Sequence, residues 1–225
     1  MERSMSIKKF EPLKFIERSP DEMTELSRSF YDDMKRRRSV REFSDRSIPD
    51  EVIKNAVLAA GTAPSGANMQ PWHFCVITNP ETKRKIRMAA EKEEKAFYHD
   101  RAPDKWLEAL RTFDTDENKY FLETAPCLIA VFLKRFTVNQ NGIAQTNYYP
   151  TESVGIATGI LLTALHISGL VTLTHTPNPM KFLNDILGRP DNERPFLIVV
   201  TGYPDKNAKV PKLNKYALDH IATFD

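Results

Sequence analysis

Cysteine is scarce in this 225-residue chain: Cys75 and Cys127 are the only two, and each sits inside an apolar run. That excludes a disulfide scaffold or a cysteine-rich metal site and predicts buried free thiols in a reducing compartment. An excess of one charge is also missing. The 32 Lys and Arg residues against 30 Asp and Glu leave a net charge of +2, too small for bulk attraction to nucleic acid or to a membrane surface. Long apolar runs are absent as well, because residues 154–165 are interrupted by Gly155, Thr158, Gly159 and Thr163 and are too short to span a bilayer. Residues 1–18 lack a continuous apolar stretch, which predicts no secretory signal and a cytoplasmic protein. The five histidines show no metal-ligand spacing, so no metal is expected, and neither G-x-G-x-x-G nor a Walker A pattern occurs.

What is there reads as one folded domain over residues 21–225, preceded by an N-terminal arm over residues 1–20. A helix starting at Pro20 has Ser19 as N-cap, acidic Asp21 and Glu22 in its first turn, and Met23, Leu26, Phe30 and Met34 as one buried stripe. A second helix follows Pro49 and stops at Gly61. Residues 72–77, 127–133, 170–173 and 196–201 read as strands, apolar almost throughout, which predicts a sheet covered on both faces. Residues 83–123 are charged and helical by composition. Residues 152–168 form a helix apolar nearly all round, to be buried in the core or in a subunit interface. The helices and strands show no clean βαβ repetition, so the fold class is α+β.

Two local features carry chemistry. The run Lys35-Arg36-Arg37-Arg38-Ser39-Val40-Arg41 is the densest charge in the chain. Its bland reading is a solvated helix end complementing the helix dipole. Its functional reading is a phosphate grip, since guanidinium groups make forked, charge-assisted bonds to phosphate oxygens. Some twenty-five residues on, residues 61–72 join a helix to a strand through small side chains bounded by Pro64 and Pro71. Such a loop lets the backbone approach a flat ligand closely, or simply makes a tight connection.

The combination R-R-S-V-R with A-P-S-G-A-x-x-Q-P-W resembles the nitroreductase superfamily. Within it, the further runs at residues 91–98, 148–149, 152–154, 169–177, 187–190 and 202–204 make the chain similar to the iodotyrosine deiodinases. The likeness extends in family order over about residues 25–220. It implies a nitroreductase-like fold, a central mixed, mostly antiparallel sheet flanked by helices, in an interlocked homodimer that binds FMN at the subunit interface. By the same resemblance Arg37, Arg38, Ser39, Val40 and Arg41 contact the FMN phosphate and ribityl chain. Ser65 and Gly66 lie beside the flavin, and Thr174, His175 and Thr176 lie at its N5 edge, with Thr176 donating to N5 as the catalytic hydroxyl. Lys215 stands where the family has an Arg that reaches the phosphate; it keeps the charge but loses the fork.

For substrate, the resemblance matches Glu94, Tyr98 and Lys119 to a lid that holds an amino-acid zwitterion, and Ala67 to a backbone N–H that meets the phenolate. Spacing agrees in part: Glu94 and Tyr98 are four apart and share a face of a helix. Taken without the resemblance, a Glu and a Lys in a charged helical region read as solvated. Cys75, Cys127, Trp72 and Trp106 read as packing residues, with Trp106 able to close the lid. The implied activity is FMN-dependent reductive dehalogenation of halogenated tyrosines through one-electron flavin steps, fed by an unidentified electron donor. The alternative is a general NAD(P)H-dependent nitroreductase or flavin reductase acting on nitroaromatics or quinones.

Overall fold

The structure, a computed structural model, describes residues 10–111, 113, 115–138 and 141–225. The chain divides into two units, one ending at Arg36 and the other running Arg37–Asp225. The first contains helix α1 (Pro20–Arg36), opened by a reciprocal cap in which Ser19 N donates to Glu22 Oε2 and Glu22 N donates to Ser19 Oγ. The buried stripe expected on α1 is not there. Met23, Leu26 and Phe30 are 60%, 51% and 52% exposed and Met34 is half-buried, so the periodicity identified an apolar face without a core of its own in this unit.

The second unit begins with α2 (Asp50–Gly61), β1 (Trp72–Ile77) and α3 (Pro80–Ala96), the last continued by a π turn over Phe97–Arg101. Then come α4 (Asp104–Arg111), α5 (Phe121–Thr124), β2 (Cys127–Lys134), and the short strands β3 (Phe136–Val138) and β4 (Ala144–Thr146). The chain closes with α6 (Pro150–Ile167), β5 (Val171–His175), α7 (Phe182–Leu187), β6 (Glu193–Gly202) and α8 (Leu218–Ile221).

The four long strands form one sheet in the order β1-β2-β6-β5, with every pairing antiparallel. One parallel bridge, Ser39 to Thr172, lays residues 37–41 along the outer side of β5, where Val40 N donates to Thr172 O at 3.1 Å. The sheet is covered on both faces, which explains the unbroken apolar runs. From β2, Ile129, Val131 and Leu133 pack with α2 and α6, while Leu128, Ala130 and Phe132 pack with α3, α5 and α7. The hairpin of β3 and β4 was not foreseen, being too short to leave a period in the sequence.

Helix α6 is buried on one face only. Val154, Ala157, Leu161 and Leu165 are fully inaccessible, whereas Ile156 on the opposite face is 47% exposed beside the exposed Gly155 and Gly159. This helix therefore carries an apolar face exposed to solvent opposite its core face.

Candidate active site

The site begins where β5 ends. Pairing with β6 fixes Thr174 opposite Val199 and His175 opposite Ile198, and alternation along the strand turns neighbouring side chains to opposite sides. Thr174 and Thr176 are exposed, and His175 between them is buried. The His175 ring stands edge-on to Phe121, with centroids 5.5 Å apart. The side chain therefore leaves the threonine side and turns toward α5.

Facing β5 is the wall built from the end of α3, the π turn and the approach to α5. Glu94 and Tyr98 come from α3 and the turn that extends it; Lys119 precedes α5. The three meet with Arg41, Thr174, His175 and Thr176 around one cavity of about 420 Å³. Phe97 and Trp106 also line it, packed edge to face at 5.1 Å.

Lys119 Nζ lies 3.4 Å from Glu94 Oε2, with Lys119 buried and Glu94 nearly so. Lys119 also donates to the carbonyl of Asp116 and, at 3.4 Å, to Thr115 Oγ1. Its own backbone N–H donates to Glu91 Oε1 at 2.8 Å, and the Tyr98 hydroxyl donates to Thr115 O at 3.1 Å. Thr115, Asp116 and Glu91 are thus part of the site's frame. Nothing in their residue type or spacing gave them this role in the sequence, where Glu91 figured only as part of the run at residues 91–98.

The electrostatics of this pair are those of charges held out of water. Burial pushes the Glu94 carboxyl above its ordinary 4.5 despite the Lys119 charge beside it. Burial also pulls the Lys119 ammonium below 10.5 despite Glu94. In both, desolvation outweighs mutual attraction. A ligand bringing an ammonium to Glu94 and a carboxylate to Lys119 would relieve both. Burial raises the Tyr98 phenol above 10.0, so it stays a neutral hydrogen-bond donor.

His175 is held down to about 3 by burial first and by the Lys119 and Arg41 charges second, so its imidazole is neutral. Its Nε2 is buried with no hydrogen-bond partner. An orphaned buried donor or acceptor of this kind costs about 1–3 kcal/mol.

The remaining positions singled out in the sequence fall in two places. Residues 37–41 run beside β5: Val40 is buried, Arg37 and Arg38 are half-buried, and Arg41 is half-buried at the cavity. Arg38 donates to Pro211 O, tying this run to the segment that carries the exposed Lys215. The loop with Ser65, Gly66 and Ala67 does not line the cavity. Ala67, Asn68 and Gln70 have φ of 48°, 55° and 49°, a left-handed run of side-chain-bearing residues held partly by Gln70 N donating to Ser65 Oγ. Gly66 is required for a local reason, since a Cβ there would sit 2.7 Å from the carbonyl oxygen of Tyr148. Cys127 is buried with its thiol pushed up to about 12, and Cys75 is half-buried; neither is near the cavity. Trp72 is core, whereas Trp106 is 55% exposed on the lid wall.

A family model described as the nitroreductase family matches residues 34–203. The iodotyrosine deiodinase of Haliscomenobacter hydrossis is 54% identical over 206 residues, covering 92% of this chain and 93% of that protein. Iodotyrosine deiodinase 1 of Homo sapiens is 44% identical over 201 residues, covering 89% of this chain and 70% of that protein. A crystal structure of oxidized iodotyrosine deiodinase bound to FMN and 3-iodo-L-tyrosine superposes with a TM-score of 0.73 at 31% identity, covering 87% of this chain and all of that one. A BluB-like flavoprotein from Clostridium difficile 630 shares the fold, with a TM-score of 0.65 at 22% identity over 87% of this chain and 98% of that one. With sequence and fold matched over nearly the whole length, this chain belongs to the nitroreductase family and, within it, to the iodotyrosine deiodinases.

Proposed function

We propose that the chain is an FMN-dependent oxidoreductase that removes halide from halogenated tyrosines, iodotyrosine giving tyrosine and iodide. The observation that carries this reading is the meeting of Glu94, Tyr98 and Lys119 with Arg41, Thr174 and Thr176 around one cavity. A general nitroreductase has no use for a buried carboxylate and ammonium poised for an amino-acid zwitterion.

The residues fit the cofactor. Arg37, Arg38 and Arg41 offer forked donors to a phosphate, and Ser39 adds a hydroxyl on a segment pinned to β5. The exposed hydroxyls of Thr174 and Thr176 lie at the strand end where an isoalloxazine edge would be received. Bound FMN supplies, one at a time, the two electrons that with a proton replace the carbon–halogen bond by carbon–hydrogen and release halide. The chain's own work is positional. Thr176 donates to flavin N5, Glu94 holds the substrate ammonium, and Lys119 holds its carboxylate. Tyr98 donates to that carboxylate, and Phe97 with Trp106 covers the cavity against water.

The active species is a homodimer in this reading. The exposed apolar face of α6 supports it, as does the place of residues 65–67, which do not line the cavity of their own chain. From a second copy, Ser65 and Gly66 would reach the flavin and the Ala67 N–H the substrate phenolate. Lys215, tethered through Arg38 and Pro211, completes the phosphate grip. Among the described residues no helix is long and apolar enough to cross a membrane. A cytoplasmic location is part of the same proposal, supported by two free thiols.

The test is iodide release from 3-iodotyrosine by the FMN-loaded protein with dithionite as reductant. Glu94→Gln and Lys119→Gln should each weaken 3-iodotyrosine binding by roughly 100-fold, about 3 kcal/mol, while FMN stays bound. Variants that bind 3-iodotyrosine as tightly as the parent would remove the lid assignment.

A further inference from the structure

A buried side chain that the mechanism above does not use stands between the two walls of the cavity. His175 belongs to the floor, paired in register with Ile198 and braced edge-on by Phe121. Its Nε2 is inaccessible and has no hydrogen-bond partner, although buried polar atoms are nearly always paired. Oε1 of Glu94 lies 4.0 Å from that nitrogen, while Oε2 of the same carboxylate lies 3.4 Å from Lys119. The gap exceeds a hydrogen bond by about 1 Å, a distance that a small inward shift of the α3 end closes.

We propose that His175 is a positioning residue for the lid: its Nε2–H donates to Glu94 Oε1 when the lid closes on substrate and so aims the carboxylate at the substrate ammonium. This rests on the halotyrosine reading given above. The contact is not an ion pair, because burial and the facing Lys119 and Arg41 charges keep the imidazole neutral. A neutral ring with its proton on Nε2 is a donor, and a carboxylate needs one. The division of labour is geometric. Glu94 is a flexible chain at the end of a helix whose carboxylate would otherwise turn wholly toward Lys119. The His175 ring is fixed by strand pairing and by Phe121, so it holds one carboxylate oxygen at a set place beside the threonines. The donor then ties substrate capture in the lid to the strand proposed to receive the flavin.

The proposal is tested on the FMN-loaded protein by three measurements. With histidine labelled in ¹⁵N, the His175 ring should be the neutral Nε2–H tautomer from about pH 5 to about pH 8, and its Nε2 signal should move on adding 3-iodotyrosine. In steady state, His175→Phe should raise KM for 3-iodotyrosine roughly tenfold, with the effect on KM rather than kcat, and His175→Gln, which keeps a donor, should recover most of it. In a Glu94→Ala background, which removes the acceptor, His175→Phe should add nothing further. An Nδ1–H tautomer, a loss that is fully additive with Glu94→Ala, or FMN released by His175→Phe would each overturn the assignment. Failure of the parent protein to release iodide would instead sink the halotyrosine reading. The ring's tautomer, and its response to Glu94→Ala, would still decide the contact.

Discussion

Strand β5 and the run beside it are held by main-chain hydrogen bonds, to β6 on one side and to Ser39 and Val40 on the other. The opposite wall, from Glu94 to Lys119, is held by side chains: a carboxylate on an ammonium, a phenol on a carbonyl, one aromatic edge on another. Ladder hydrogen bonds form and break together with the sheet, so the floor has one arrangement. Side-chain contacts around a partly solvated cavity can be exchanged singly for contacts to a ligand. A flavoenzyme of this kind needs both, a fixed cradle for the cofactor and a wall that gains partners when substrate arrives.

The largest effect expected from attacking the comparison falls beneath the floor. Phe132 is fully buried in the cluster that supports it, so Phe132→Ala should cost about 3–5 kcal/mol of stability in chemical denaturation. A loss as small as that of a lid-surface variant would mean that the floor is not the rigid wall. Next comes Arg41→Ala, at the junction of the two walls. It should weaken FMN binding by about 1.5–3 kcal/mol, read from flavin fluorescence on dilution. Unchanged flavin affinity would detach the arginine run from the cofactor.

A pH titration separates the walls more gently. Glu94 titrates above 4.5 and Lys119 below 10.5, each because burial penalises its charge. For folding, the raised carboxyl contributes stability that is present at low pH and lost as pH rises through its folded value. The depressed ammonium does the reverse, so its contribution grows as pH rises. Substrate affinity runs against both: it should fall as Glu94 is protonated and fall again as Lys119 loses its proton. The two limbs should lie inside the interval from 4.5 to 10.5, and Glu94→Gln should abolish the acid limb. An acid limb that survives in Glu94→Gln assigns it to another group. The smallest effect is on the rim, where Trp106→Ala should weaken 3-iodotyrosine binding by about 0.5–1.5 kcal/mol through loss of the Phe97 contact. No change there would mean that the aromatic pair does not cover bound substrate.

Much of the floor was legible in order of residues. Strand β1 starts and stops where its apolar run does, and the doubly covered sheet follows from runs too apolar to alternate. The arginine run was likewise recognisable as a local string, whereas the threonines around His175 were singled out only through family resemblance. The lid was legible only through family resemblance, because Glu94, Tyr98 and Lys119 lie in a charged stretch that composition alone reads as solvated. Glu91 was marked only as part of the run at residues 91–98, and Thr115 and Asp116, which hold Tyr98 and Lys119, left no mark at all, since a backbone carbonyl becomes an acceptor only by where it ends up.

By itself, then, the sequence determined the four long strands and the helices α1, α2 and α6, that the sheet is buried on both faces, and that α1 and α6 carry apolar faces. Periodicity and composition are properties of a segment, so they survive without knowing its neighbours. The partner of each face was a tertiary matter. Of the stripe on α1 that reads as buried in the sequence, Met23, Leu26 and Phe30 are exposed. Only the fold brought Lys119 to Glu94 across twenty-five residues and set His175 4.0 Å from the same carboxylate. Charge states followed from that placement, because burial, not residue type, pushes Glu94 up and Lys119 and His175 down.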